Sequence, residues 1–108
     1  MEDKEIVWLH GEVRTPPFSA KARVETGAYL RELQQGLPLS LPHSRPMPSI
    51  GARCHELRIP DEQNTWRIIY RIDRQVILVA DVFAKKTRAT PPQVISNCKR
   101  RFNQFDND

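Results

Sequence analysis

Apolar positions change period several times along the chain, and each period implies an element. Ile6, Val7, Trp8 and Leu9 form a short apolar run ended by His10-Gly11, which predicts a first strand and a turn. Beyond Pro16-Pro17, Ser19 is suited to cap a helix, and Ala22, Thr26, Leu30, Leu33 and Leu37 then recur at helical spacing, with Gly36 as the stop. A helix over 19–35 is expected. Residues 37–51 carry Pro38, Pro42, Pro46 and Pro48, which pin φ and remove backbone donors, so a stiff loop with at most one helical turn is expected there. Its His43 and Arg45 either face a ligand or sit in a solvated connector.

Three β-branched and aromatic runs follow, 54–59, 66–72 and 76–83, separated by turn-forming segments, and they predict an antiparallel meander. A last helix is expected from Thr90-Pro91, with Thr90 as cap and Pro91 in the first turn. Val94, Cys98, Phe102 and Phe105 make its apolar stripe, and Lys99, Arg100 and Arg101 lie on the opposite side.

Alternation along strands allows a register to be tried. Pairing Ile72 with Val76 sets Arg67 opposite Asp81, and pairing Ile59 with Trp66 sets Arg58 beside Arg67. One face then collects Leu57, Ile59, Trp66, Ile68, Tyr70, Leu78, Ala80 and Val82 as a core. The other collects Glu56, Arg58, Arg67, Asp81 and Lys85. The fold class expected is α+β, with an N-terminal helical segment packed on an antiparallel-rich sheet and a C-terminal helix.

At 108 residues with 39% hydrophobic and 28% charged positions, the chain reads as one ordered domain. No apolar run approaches the roughly 20 residues that cross a bilayer, and the charged start lacks the form of a secretory signal, so a cytoplasmic location without membrane contact is expected. Cys54 and Cys98 have neither redox nor zinc spacing and read as buried small hydrophobes.

The formal charge of +4 is modest. Its distribution is more telling, because Lys85, Lys86, Arg88, Lys99, Arg100 and Arg101 fall between Val82 and Phe105 with no carboxylate among them. A polyanion is the natural partner of such a stretch. The polar sheet face suits gripping a phosphate through bidentate guanidinium contacts, although a plain salt-bridged surface would use the same residues. Cleaving RNA without a metal requires a group to take the 2′-hydroxyl proton, cations to stabilise charge on the phosphate, and an acid for the leaving oxygen. A lysine among other cations can serve as base, and Tyr70 and His55 are further proton-transfer candidates, although parity turns both toward the core. The sequence has no phosphate-binding glycine loop, nucleophile elbow, zinc-protease motif or cluster of carboxylates for a metal-dependent nuclease.

Glu56-Leu57-Arg58, Trp66-Arg67-Ile68-Ile69-Tyr70-Arg71 and Val82-Phe83-Ala84-Lys85-Lys86-Thr87, followed by Thr90-Pro91 and a basic helix, resemble the phage-derived HigB-like branch of the RelE/ParE toxin superfamily. The resemblance extends over nearly the whole chain, 1–108. It implies a RelE-like fold of the microbial ribonuclease type and a toxin that cleaves mRNA in the ribosomal A site. It also implies a cognate antitoxin partner and no cofactor. It assigns the phosphate-contacting arginine to Arg67, the essential basic pair to Lys85 and Lys86, and a further basic position to Arg58. Arg58, Arg88, Lys99, Arg100 and Arg101 are then the expected RNA-binding set. The chain ends Phe105-Asp106-Asn107-Asp108, without the histidine-containing terminal cluster of some relatives, which leaves the general base open. Two other functions share this fold: a non-enzymatic inhibitor of DNA gyrase of the ParE kind, and an inactive phage-derived RNA-binding remnant. The clustered lysines favour the nuclease, since function is carried by the site and not the fold.

Overall fold

A computed structural model describes residues 3–9, 18–39, 41–85 and 89–108, without the side chain of Lys85. Its elements in chain order are β1 (Glu5–Trp8), α1 (Ala20–Gln34), β2 (Ser44–Pro46), β3 (Cys54–Pro60), β4 (Thr65–Ile72), β5 (Val76–Lys85) and α2 (Pro92–Asp106). The strands form one sheet in the order β1-β5-β4-β3-β2. β3, β4 and β5 make the expected antiparallel meander, β2 adds to it antiparallel, and β1 joins the far edge parallel to β5. This is the α+β architecture expected, compatible with a RelE-like fold. The His10-Gly11 turn and Pro16-Pro17 lie outside the described residues.

α1 begins and ends where its local chemistry dictates. Ser19 caps it, its hydroxyl accepting from the Ala22 amide at 3.0 Å. At the other end Gly36 adopts φ +84, and the amides of Gly36 and Leu37 reach back to the carbonyls of Leu33 and Glu32 in a Schellman turn. The predicted stripe is buried at Ala22, Thr26, Leu30 and Leu33, whereas Leu37 lies past the turn and is exposed.

The sheet is covered on both faces, which explains why β4 and β5 are nearly continuous apolar runs. α1 lies over Leu57, Ile59, Trp66, Ile68, Tyr70, Ile77 and Val79. α2 sends Cys98 and Phe102 against Cys54, Ile69, Leu78 and Ala80 on the other face. Both cysteines are free and buried, as expected, and burial pushes the Cys98 thiol up to about 12.

The expected register holds between β3 and β4, where Ile59 faces Trp66 and Arg58 faces Arg67. Between β4 and β5 it does not. Ile72 faces Ile77, not Val76, and a bulge sets Ile69 opposite Asp81 but Tyr70 opposite Val79. The extra residue, Ala80, reverses side-chain parity along β5. Leu78 and Ala80 therefore belong to the α2 face, and Arg67 faces Phe83 instead of Asp81. Arg101, expected on the solvent side of α2, instead donates from Nη1 to the Ala80 carbonyl at 2.7 Å and lies 3.8 Å from Asp81. It thereby satisfies a backbone acceptor at the bulge.

Two further expectations change. The loop of prolines contributes an edge strand, β2, because Ser44 and Arg45 can pair with Leu57 and Glu56 while the prolines sit at its margins. The N-cap of α2 is Pro91, without a side-chain cap, and the Thr90 hydroxyl turns instead to Glu56.

Candidate functional site

On the face of the sheet that carries α2, β2, β3 and β4 bring three arginines onto one carboxylate. Glu56 is fully buried. Its Oε1 lies 3.1 Å from Arg45 Nε, 3.6 Å from Arg67 Nη1 and 3.7 Å from Arg58 Nε. Its Oε2 accepts from the Thr90 hydroxyl at 3.2 Å. Each position follows from pairing, since Arg45 stands opposite Glu56 across β2–β3 and Arg58 opposite Arg67 across β3–β4.

Three guanidiniums against one carboxylate leave this group of four side chains with an excess of positive charge. Only Arg45 makes a hydrogen bond to Glu56 among the three. Arg58 Nε and both Nε and Nη1 of Arg67 are buried without hydrogen-bond partners among the described residues. Such donors ordinarily find acceptors, and each buried one left without a partner costs about 1–3 kcal/mol. Burial pulls the Arg67 guanidinium below its ordinary pKa; Glu56 opposes this, and Arg58 and Arg45 reinforce it. Arg67 is the most enclosed, with 13% of its side chain exposed, while Arg45 and Arg58 are about one-third open to solvent.

The end of β5 lies beside this cluster. Lys85 ends β5 opposite Thr65, two residues beyond the Arg67–Phe83 pair, and Thr90 touches Glu56. Residues 86–88 connect these two points, and Lys86 and Arg88 themselves lie outside the described residues.

Other expected site residues are not gathered here. His55 and Tyr70 stack on each other, ring centroids 5.3 Å apart, on the α1 face of the sheet. Tyr70 is hydrogen bonded to the Ser44 hydroxyl at 2.6 Å, and His55 Nδ1 donates to the Arg53 carbonyl at 3.1 Å. The sheet thus separates both from the arginines. On α2, Lys99 lines a shallow pocket with Arg53, Arg71 and Asp106, and Arg100 is exposed. Arg71, although on a face with Arg67, is fully engaged: its guanidinium grips Asp73 and Asp106 at 2.6–3.0 Å and lies 4.9 Å above the Phe102 ring. That clamp fastens the end of α2 to the sheet.

Sequence reasoning placed Glu56 on the right face but set Asp81, not Glu56, opposite Arg67. It left Arg45 undecided because β2 was not foreseen. The parity of Glu56 with Arg58 was the available signal for the first, and nothing local marked the second.

A five-stranded mixed sheet with a helix on each face is compatible with the RelE-like class of fold. Residues 17–103 match the family described as phage derived protein Gp49-like (DUF891), and the chain belongs to that family, which is of the RelE/ParE-like toxin type. No curated protein and no solved structure matches the chain significantly. Among the described residues, no helix is long and apolar enough to cross a membrane.

Proposed function

We propose that this protein is the toxin of a toxin–antitoxin pair, a metal-independent mRNA endonuclease of the HigB-like kind that acts on the ribosome in the cytoplasm and is neutralised by a cognate antitoxin. The observation that carries this reading is the convergence of Arg45, Arg58 and Arg67 on buried Glu56, three positive charges against one negative. In this reading Arg67 and Arg58 grip the scissile phosphate, and their charge stabilises the extra negative charge formed when the 2′-oxygen attacks phosphorus. Lys85 and Lys86, at the exit of β5, supply further charge and proton transfer. Arg88, Lys99 and Arg100 contact RNA more widely, and Arg101 is held at the bulge.

In this reading ribosomal components complete the site, and the isolated protein is nearly inert. Primer extension on mRNA in a purified translation system tests this. Wild type should cut only when ribosomes are present, and Lys85→Ala should not. Robust cleavage of free RNA would refute ribosome dependence. Absence of cleavage together with inhibited DNA supercoiling would identify a gyrase inhibitor, and absence of both an inactive remnant.

A further inference from the structure

Glu56 is unusual for a carboxylate: it is fully buried, yet it faces three guanidiniums and makes a hydrogen bond with only one of them. A structural ion pair needs one partner, not three. Surplus cations crowded on one oxygen repel each other and are held together only by the charge at their centre. Their distances from Oε1 fall in a narrow span, 3.1 to 3.7 Å, and they come from three different strands. Glu56 is also tied at Oε2 to Thr90, two residues before α2 begins, so it cannot turn freely. A fixed anionic pivot with three cationic arms is the arrangement that preorganises a receptor for an anion larger than a carboxylate, because the receptor is built before the ligand arrives.

We infer that Glu56 is a positioning residue that holds Arg45, Arg58 and Arg67 as a three-armed clamp for one phosphodiester of single-stranded RNA, with Arg45 as an arm of the clamp in its own right. This rests on the phosphate-gripping part of the function proposed above. Glu56 itself does not touch the phosphate. Arg45 and Arg58, each about one-third exposed, receive the anion through the terminal N–H groups of their guanidinium forks.

Charge and organisation make opposite predictions for Glu56→Gln, which is why that variant is informative. Gln keeps the size of the side chain and an acceptor for Thr90, while the arginines lose their negative pivot. If only net charge mattered, RNA would bind more tightly. If Glu56 positions the arms, RNA binds more weakly, on the order of tenfold, the scale on which residues that orient ligand-binding groups act.

The measurement is fluorescence anisotropy with the full chain and a labelled 2′-O-methyl RNA hexanucleotide, which binds but cannot be cleaved, over a series of salt concentrations. Weaker binding by Glu56→Gln at every salt concentration is expected, and tighter or equal binding overturns the positioning role. Arg45→Ala, which opens no core, should lower affinity and reduce the slope of log K against log salt by about 0.7, one phosphate contact on a single strand. An unchanged slope overturns the third arm. Arg45→Lys should restore the slope but only part of the affinity, because the forked donor is lost. If Glu56→Gln does not fold, the two Arg45 variants decide the matter. Binding that follows this pattern without mRNA cleavage in the translation system would keep the clamp and remove the nuclease. Cleavage by a wild type that shows no hexanucleotide binding at low salt would do the reverse.

Discussion

Replacing Arg67 by Met should make the protein more stable and less active at once. The reason lies in the electrostatics of a crowded carboxylate. At an effective dielectric of about 20, the attraction between Arg67 and Glu56 across 3.6 Å is about 4.6 kcal/mol. Arg45 and Arg58 share the same Glu56 oxygen at 3.1 and 3.7 Å, so each lies no more than about 7 Å from Arg67 and repels it by roughly 2.4 kcal/mol or more. The two repulsions together are about as large as the attraction or larger. What remains is the burial of a charged group with two N–H positions lacking acceptors, each costing about 1–3 kcal/mol. Met fills much of the same space, and Glu56 keeps Arg45, Arg58 and Thr90, so no carboxylate is stranded. Stability should rise by about 1–2 kcal/mol, or roughly 4–10 °C in Tm for a domain of this size. The cleavage rate on saturating ribosomes should fall about 100- to 1,000-fold, the loss typical of one charge-stabilising contact in a transition state. Thermal melting and single-turnover primer extension read the two effects separately. A variant that melts several degrees below wild type would show Arg67 to be a structural bridge, and one that cuts at the wild-type rate would remove it from the site.

Tyr70→Phe should cost about 1–3 kcal/mol in urea unfolding, because it strands the buried Ser44 hydroxyl, yet it should leave cleavage intact; lost cleavage in a folded variant would bring Tyr70 back into the chemistry. Arg101→Ala should also destabilise, by about 1.5–3 kcal/mol, since the carbonyl at the Ala80 bulge loses a charged donor at 2.7 Å, and a ΔG within error of wild type would show that water replaces it. The hydrogen bonds from Arg71 hold the Asp106 carboxyl below its ordinary pKa. A depressed folded pKa means stability that is present above the unfolded value of about 3.8 and lost as pH falls through the folded one. Wild type should therefore lose its advantage over Asp106→Asn below about pH 4, and a constant difference from pH 7 to pH 2 would contradict the clamp.

Much of this molecule was legible in short stretches of sequence. Ser19 and Gly36 bound α1 because an N-cap hydroxyl and a left-handed glycine act on their immediate neighbours, and Cys98 and Phe102 face inward because helical spacing leaves them no choice. The β3–β4 register also follows from alternation, which sets Arg58 beside Arg67. Beyond that, local pattern was insufficient. The bulge at Ala80 inverts the faces of half of β5, and only its packing beneath α2 and its bond to Arg101 select it over an unbroken ladder. Arg45 reaches the site through an edge strand among prolines, where the sequence carries a loop signal. Asp81 and Glu56 both satisfied the parity needed to hold the arginines, and the choice between them fell to burial. The carboxylate that three strands and Thr90 enclose becomes the centre of the cluster, while the other turns to a cation on α2. Helix ends and strand parity are set by neighbours a few residues apart, whereas a site assembled from four separate segments exists only once the sheet has closed.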